Sequence, residues 1–191
     1  MVKSFSSGNV ETHFSAAGPV KLAGARISMN YGIEQPKGLY AYSKVSAGNE
    51  FLGNSKTDES FNTKLYPTFG GGLGFNRKDK GFFADVVSEY KVGVDRTTKA
   101  LSEVGRVFNV QSGMRLARPD APSLFNEVGG YARSESYSLK AHNLNFDNKS
   151  AGLYVSTEFA KNFKGTLSGG VQQNDHSKLS PAAEIKFAYN F

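Results

Sequence analysis

Apolar and polar residues alternate one for one along most of this chain. A period of two restricts it to extended strands with two unlike faces. In residues 23–33, Ala23, Ala25, Ile27, Met29, Tyr31 and Ile33 share one side, and Gly24, Arg26, Ser28, Asn30 and Gly32 share the other. Leu39, Ala41, Val45, Ala47 and Phe51 alternate with Tyr40, Tyr42, Lys44, Ser46 and Gly48. Phe61, Leu65, Phe69, Leu73 and Phe75 alternate with Asn62, Lys64, Tyr66, Gly70, Gly72 and Gly74. The same rhythm runs through 82–94, 104–116, 151–159, 167–172 and 183–191. Arg106, Ser43 and Ser88 interrupt the apolar side. Residues 124–138 are ambiguous: Val128, Gly130 and Ala132 suit the apolar face, while Tyr131, Tyr137 and Leu139 fall with Glu127, Arg133 and Glu135. Pro67 lies mid-strand, and its missing N–H predicts a bulge there.

The connections form two alternating classes. Short, basic ones are Gln35–Gly38, Asn76–Gly81, Arg118–Ser123 and Lys161–Gly165; longer ones are 49–60, 95–103, 138–149 and 174–180. Such alternation describes an up-and-down antiparallel meander with tight turns at one end. The last strand finishes at the short-turn end, so a strand must precede 20–35 if both termini share that end. Val10, Thr12, Phe14 and Ala16 supply it, with Gly18-Pro19 as the turn. The count is ten strands, or eight if the N-terminal segment stays outside the sheet and another pair is misread. All 191 residues are expected to form one domain.

Composition narrows the chemistry. With no cysteine, there is no disulfide framework, thiolate metal site or Cys nucleophile. Lys plus Arg is 23 and Asp plus Glu 17, a net +6, too mild to argue for a nucleic-acid partner. The longest apolar run is the four residues Leu39–Tyr42, whereas a membrane helix needs about 20.

Alternation does not say which face is wet. A soluble lipocalin-like carrier would turn the apolar face inward; a membrane barrel turns it towards lipid. Three features favour the membrane. Several strands run to about 12–16 residues, whereas spanning needs only about 9–11 and globular strands average about 5–6. Aromatic residues of the apolar face (Tyr31, Phe51, Phe61, Phe75, Phe82, Phe159, Tyr189, Phe191) crowd towards strand ends, as interfacial girdles do. Glycine is frequent on the polar face, which suits a narrow lumen.

The ending AAEIKFAYNF, with Ala183, Ile185, Phe187, Tyr189 and Phe191 in step, resembles the C-terminal strand of Gram-negative outer-membrane β-barrels. The size and short turns are similar to the small members, the OmpX/opacity-like group or the ten-stranded Opc type. The resemblance implies an all-β, transmembrane, antiparallel up-and-down barrel. It implies that Phe187, Tyr189 and Phe191 form an assembly signal read by the barrel-assembly machinery. It also implies contact with outer-membrane lipids, both phospholipid and lipopolysaccharide. MVKSFSSGNVE has no apolar core of an export signal, which admits two readings, a protein that stays where it is made or a mature form.

On this reading the lumen is lined by Arg26, Lys44, Lys64, Lys91, Arg115, Arg133 and Lys186 on the positive side. Asp85, Glu89, Glu127, Glu135, Glu158 and Glu184 are their negative counterparts. Barrel diameter grows with strand number, and eight strands are about filled by side chains. Ten leave at most a narrow passage. The near-balance of charge admits two outcomes: a paired network that plugs the barrel, or a narrow pore passing small polar solutes. Lys37, Arg77, Lys78, Lys80, Arg118, Lys161 and Lys164 place most of the net charge in the short turns, where it would meet anionic headgroups.

Catalysis has little to stand on. Adjacent Asp175 and His176 would point apart on a strand, and His142 has only Asn143 and Asn145 nearby. Glu11, His13 and Ser15 share a face, but polar inner faces supply such residues by chance. Gly70-Gly71-Gly72-Leu73-Gly74 lacks the Lys-Ser/Thr and the following helix of a phosphate loop. No catalytic residue, metal or cofactor is expected. The function expected is a non-enzymatic outer-membrane barrel, a narrow channel or a structural element. The alternative is an adhesin acting through loops 49–60, 95–103 and 138–149.

Overall fold

The computed structural model describes residues 1–17, 20–53, 66–94, 101–116, 123–139, 144–174 and 179–191. They form ten strands: β1 (Lys3–Ala17), β2 (Val20–Glu34), β3 (Leu39–Gly53), β4 (Tyr66–Phe75), β5 (Gly81–Val94), β6 (Leu101–Arg115), β7 (Ser123–Leu139), β8 (Leu144–Ala160), β9 (Phe163–Asn174) and β10 (Ser180–Asn190). Each strand pairs antiparallel with its neighbours in sequence, and β1 pairs with β10, closing the barrel. The eight-strand alternative falls. The N-terminal strand is a full stave, with Val10 opposite Tyr189 on one side and Ile27 on the other. The seam is tied at its lower end, where Gly8 N–H donates to Phe191 O at 3.0 Å and Phe191 N–H donates to Gly8 O at 2.9 Å.

The short turns follow from their residues. In Gln35–Gly38, Gly38 N–H donates to Gln35 O at 2.9 Å and Gly38 takes φ 84°. Proline at the second position and glycine at the left-handed one suit such a turn. At the next turn Asn76 takes φ 55°, its Oδ1 accepts from Asp79 N–H at 2.9 Å, and its Nδ2 donates to Phe82 O at 2.8 Å.

Three sequence expectations need correction. Pro67 causes no bulge: β3 and β4 stay in register through Ala47 opposite Pro67. Pairing with β5 begins at Thr68, so the proline sits near the strand start, where its missing N–H is tolerated. The irregularity lies instead in β7, where register shifts between Ser123 and Glu127. There Asn126 and Glu127 are both buried while Phe125 is exposed, a two-residue step that sets the phase of the rest of the strand. Beyond it the alternation is regular, and its ambiguity comes from Tyr131, which is half-buried on the same face as Glu127, Arg133 and Glu135. The connection expected at 138–149 is also shorter, since β7 continues to Leu139 and β8 begins at Leu144. Residues 61 and 65 of the apolar stripe, and Lys64, lie outside the described residues.

The apolar face points outward. Ile27, Phe69, Leu153 and Ile185 are 48%, 52%, 73% and 45% exposed, whereas the side chains of Arg26 and Glu89 are 18% and 7% exposed. A continuous belt of that composition is incompatible with water, and the closed ladder leaves no backbone edge in lipid. The chain is therefore a transmembrane barrel. At the short-turn end Phe163 stacks on Phe187 and is met at a tilt by Phe159, with ring centroids 6.3 and 6.0 Å apart, forming part of a girdle.

The orientation yields a direct prediction. Leu153→Arg places a cation on the lipid-facing wall of β8 and is expected to destabilise the barrel by about 2–4 kcal/mol, measured by denaturant unfolding from lipid vesicles. A change within about 0.5 kcal/mol, as at an ordinary wetted surface, would contradict the outward placement.

Candidate functional site

The interior of the barrel is the site with chemistry in it, and its layout follows from strand register. Residues opposite one another across an antiparallel sheet form rows on one face, with neighbouring strands about 4.8 Å apart. One row reads Tyr40, Gly74, Asp85 across β3, β4 and β5; the next reads Tyr42, Gly72, Val87; a third reads Lys44, Gly70, Glu89. In each, β4 contributes a glycine, so the β3 side chain crosses to β5 without obstruction. Tyr40 and Tyr42 donate their hydroxyls to Asp85 at 3.0 and 3.1 Å, and Lys44 Nζ meets Glu89 at 2.9 Å. A Cβ at Gly72 would lie 2.6 Å from Cζ of Tyr42, and one at Gly74 would clash with Cζ and the hydroxyl of Tyr40. The glycine-rich stretch is thus a track that lets side chains reach across a strand. On the opposite wall a glycine makes room for a shorter reach: Tyr154 of β8 lies over Gly129 of the adjacent β7 and donates to Glu127 of that same strand at 3.0 Å.

Among the expected lumen residues, the structure brings several together. Arg26 binds Glu11 through Nε at 2.9 Å and Nη2 at 2.8 Å, and reaches Glu89 at 3.4 Å. Glu89 therefore lies between two cations, Arg26 and Lys44, contributed from different staves. Glu11 also sits in the fields of Lys186 and Lys44. Arg115 binds Glu127 at 3.2 Å, donates to Asn76 O, and lies 4.3 Å from the centre of the Phe83 ring. Arg133 pairs with Glu135, whose other oxygen accepts from Asn148 at 3.4 Å. Lys91 is buried. Glu158 is half-buried and its main-chain N–H donates to Asn126 Oδ1 at 2.6 Å, within the irregular start of β7. Glu184 and Lys186 are half-buried on β10. Phe187, Tyr189 and Phe191 point outward, and the Phe191 ring covers Gly8.

Some interior residues were not foreseen. Glu11 is the anchor of Arg26 rather than part of a catalytic group with His13 and Ser15; its place on the polar face of the first strand was the available signal. Lys164, assigned to a turn, belongs to β9 and binds Glu127 at 3.3 Å. Arg77, in the second short turn, pairs with Glu34 at 3.3 Å and lies 3.7 Å from the Phe5 ring centre. Two of the expected turn cations are therefore committed to carboxylates. Phe83, Val87 and Val107 are apolar yet buried inside. They occupy inward positions in runs where both faces are apolar, Phe82-Phe83 and Val86-Val87, so alternation could not single them out. Phe5, Tyr40, Tyr42, Phe83 and Tyr154 consequently gather towards the short-turn half, with Phe5 edge-on to Tyr40 at 6.4 Å and Tyr40 stacked on Tyr42 at 6.0 Å. His142 and His176 lie outside the described residues. Among the described residues, no group of three or more His, Asp or Glu is arranged to hold a metal ion.

No protein-family model and no curated protein matches the sequence. Solved structures do. The β domain of the Bordetella autotransporter BrkA superposes with a TM-score of 0.50 at 10% identity, over 98% of this chain and 99% of that one. The KdgM porin, solved with disordered oligogalacturonate, gives 0.49 at 9% identity over 96% and 99%. A loop L8 deletion mutant of OmpT, an outer membrane protein of Vibrio cholerae, gives 0.44 at 7% identity over 100% and 99%. At these identities the likeness is one of fold: the chain has the outer-membrane β-barrel architecture.

The shared carboxylate offers a test of the network. Glu89→Gln leaves Arg26 and Lys44 short of one negative charge in a confined space. It is expected to cost about 3–5 kcal/mol, read by denaturant unfolding in lipid vesicles. Adding Lys44→Met should recover part of that loss, because it removes one uncompensated cation. A double variant no more stable than the single one would show that the pair is not coupled.

Proposed function

We propose that this protein is a non-enzymatic barrel of the bacterial outer membrane whose lumen is closed to free diffusion by its own side chains, making it a structural element of that membrane. The observation that carries this reading is the layered filling of the interior. Aromatic rings and Phe83 occupy the short-turn half, and above them Glu11, Arg26, Glu89 and Lys44 are joined by charge pairs from four adjacent to near-adjacent staves. Ion pairs of this kind, once hydrogen-bonded, hold their geometry and leave few charges to attract a mobile ion. Glu11, Asp85, Glu89, Glu127 and Glu135 are engaged by guanidinium, ammonium or phenol groups, which supports a non-enzymatic reading.

A second reading, a narrow channel for small polar solutes, is favoured by Glu184 and Lys186, which remain half-buried along one wall. The adhesin alternative rests on connections 54–65, 95–100 and 140–143, which lie outside the described residues. Recognition of Phe187, Tyr189 and Phe191 by the barrel-assembly machinery is part of the proposal; the seating of Phe191 on Gly8 supports a role for that ring at barrel closure.

Planar-bilayer recording distinguishes the first two readings. The native barrel should give no steady unitary current. Tyr40→Ala/Tyr42→Ala/Phe83→Ala, which removes three of the five rings of the aromatic layer while leaving every ion pair, should give small steady openings. Steady currents from the native protein would favour the channel.

A further inference from the structure

Among the described side chains of the strands, two cations face the lipid, where a barrel normally presents apolar groups. Arg106 of β6 and Lys149 of β8 are exposed on the outward wall, towards the end that carries the longer connections. Register fixes their setting. The row Val110, Ala132, Ala151, Val171 crosses β6 to β9. The row above it is Phe108, Ser134, Lys149, Gln173, and the next is Tyr90, Arg106, Ser136, Asp147. Below the cations the wall is therefore apolar; at their level it becomes polar. That is the boundary between acyl chains and headgroups, where Arg and Lys can extend to meet anions.

The same wall is grooved. The paired alanines Ala132 and Ala151 leave a trough of about 380 Å³ between Phe108 and Val110 on one side and Val171 on the other, and Lys149 stands at its margin. Arg106 is outside the lining of the trough; its guanidinium is held over β5, 5.1 Å from the centre of the Tyr90 ring. Arg106 and Lys149 sit on strands separated by β7, roughly 10 Å across the sheet. Asp147, on the same face, is the one acidic side chain in these rows and works against an anion.

We propose that this wall binds one diphosphorylated, multiply acylated glycolipid of the lipid A type, with an acyl chain in the Ala132–Ala151 trough and its two phosphates met by Arg106 and Lys149. The proposal rests on the outer-membrane reading above, which makes the long-connection end the outer leaflet. The separation of the cations favours a headgroup with two spaced phosphates over a lipid with a single phosphate. A second exterior groove provides an internal control. It is larger, about 590 Å³, and is lined by residues such as Tyr31, Ile33, Ala41, Leu73 and Val86, with no charged group in its lining.

The test is competitive lipid retention. The barrel is equilibrated in detergent with equimolar diphosphoryl lipid A and phosphatidylglycerol, and the lipid that stays bound is counted by native mass spectrometry. The native protein should keep one lipid A. Arg106→Ala/Lys149→Ala should reduce retention by on the order of tenfold to thirtyfold. Ala132→Leu/Ala151→Leu, which fills the trough and leaves the charges, should reduce it comparably. Asp147→Asn should retain at least as much as the native chain, and Ala41→Leu in the second groove should change nothing. Equal retention of phosphatidylglycerol, or equal retention of lipid A by the native protein and both double variants, overturns the proposal in favour of ordinary interfacial anchoring. If the folded barrel inserts in bilayers and keeps neither lipid, this inference alone fails. If the protein is monodisperse in plain buffer, the membrane reading fails with it.

Discussion

A hydrocarbon environment supplies no hydrogen-bond partners, so the seam between the first and last strands governs everything else. Unless β1 meets β10, their free N–H and C=O groups would face lipid at a cost of several kcal/mol each. The register from Asn9–Asn190 to Ala17–Ala182, extended by the two Gly8–Phe191 bonds, satisfies them. Closure then creates two environments with opposite rules. Outside, any polar group is a liability; inside, any charge must find a counter-charge within reach.

The interior solves its problem by reaching across strands. Ladder neighbours alone would pair each side chain with an adjacent one, leaving the carboxylates on β5 to compete for local partners. Glycines on β4 remove that restriction and bring Tyr40, Tyr42 and Lys44 to Asp85 and Glu89. Net interior charge is thereby neutralised locally, in small groups, rather than as an average over the lumen. The neutralisation matters because each ion removed from bulk water loses solvation that only close, hydrogen-bonded partners can replace.

Much of this was legible in the sequence, because alternation is a direct image of a two-sided sheet. The strand number followed from the parity of short and long connections, and the inward charges from their place opposite the apolar stripe. What escaped had physical causes. Asn126 and Glu127 both turn inward at an irregular pairing, which sets the phase of β7, and Tyr131 then falls on the same face as Glu127, Arg133 and Glu135, an aromatic where alternation looks for a polar group. Lys164 was assigned to a turn because β9 begins one residue before it. The tyrosine crossings depend on which glycine stands between which pair, a matter of register between strands that no single strand records. Phe83 and Val87 sit beside apolar neighbours, so a period-two pattern assigns them no side.

The bridging over β4 also has a mechanical consequence. In a plain meander, force applied at a loop peels away one hairpin at a time, since each stave is held only by its two ladder partners. Here β3 is fastened to β5 by phenol–carboxylate and ammonium–carboxylate links that pass over the stave between them. Extraction of any one of the three must break the fastening as well as a ladder, so β3, β4 and β5 should come out of the bilayer together, as the most force-resistant sector of the wall.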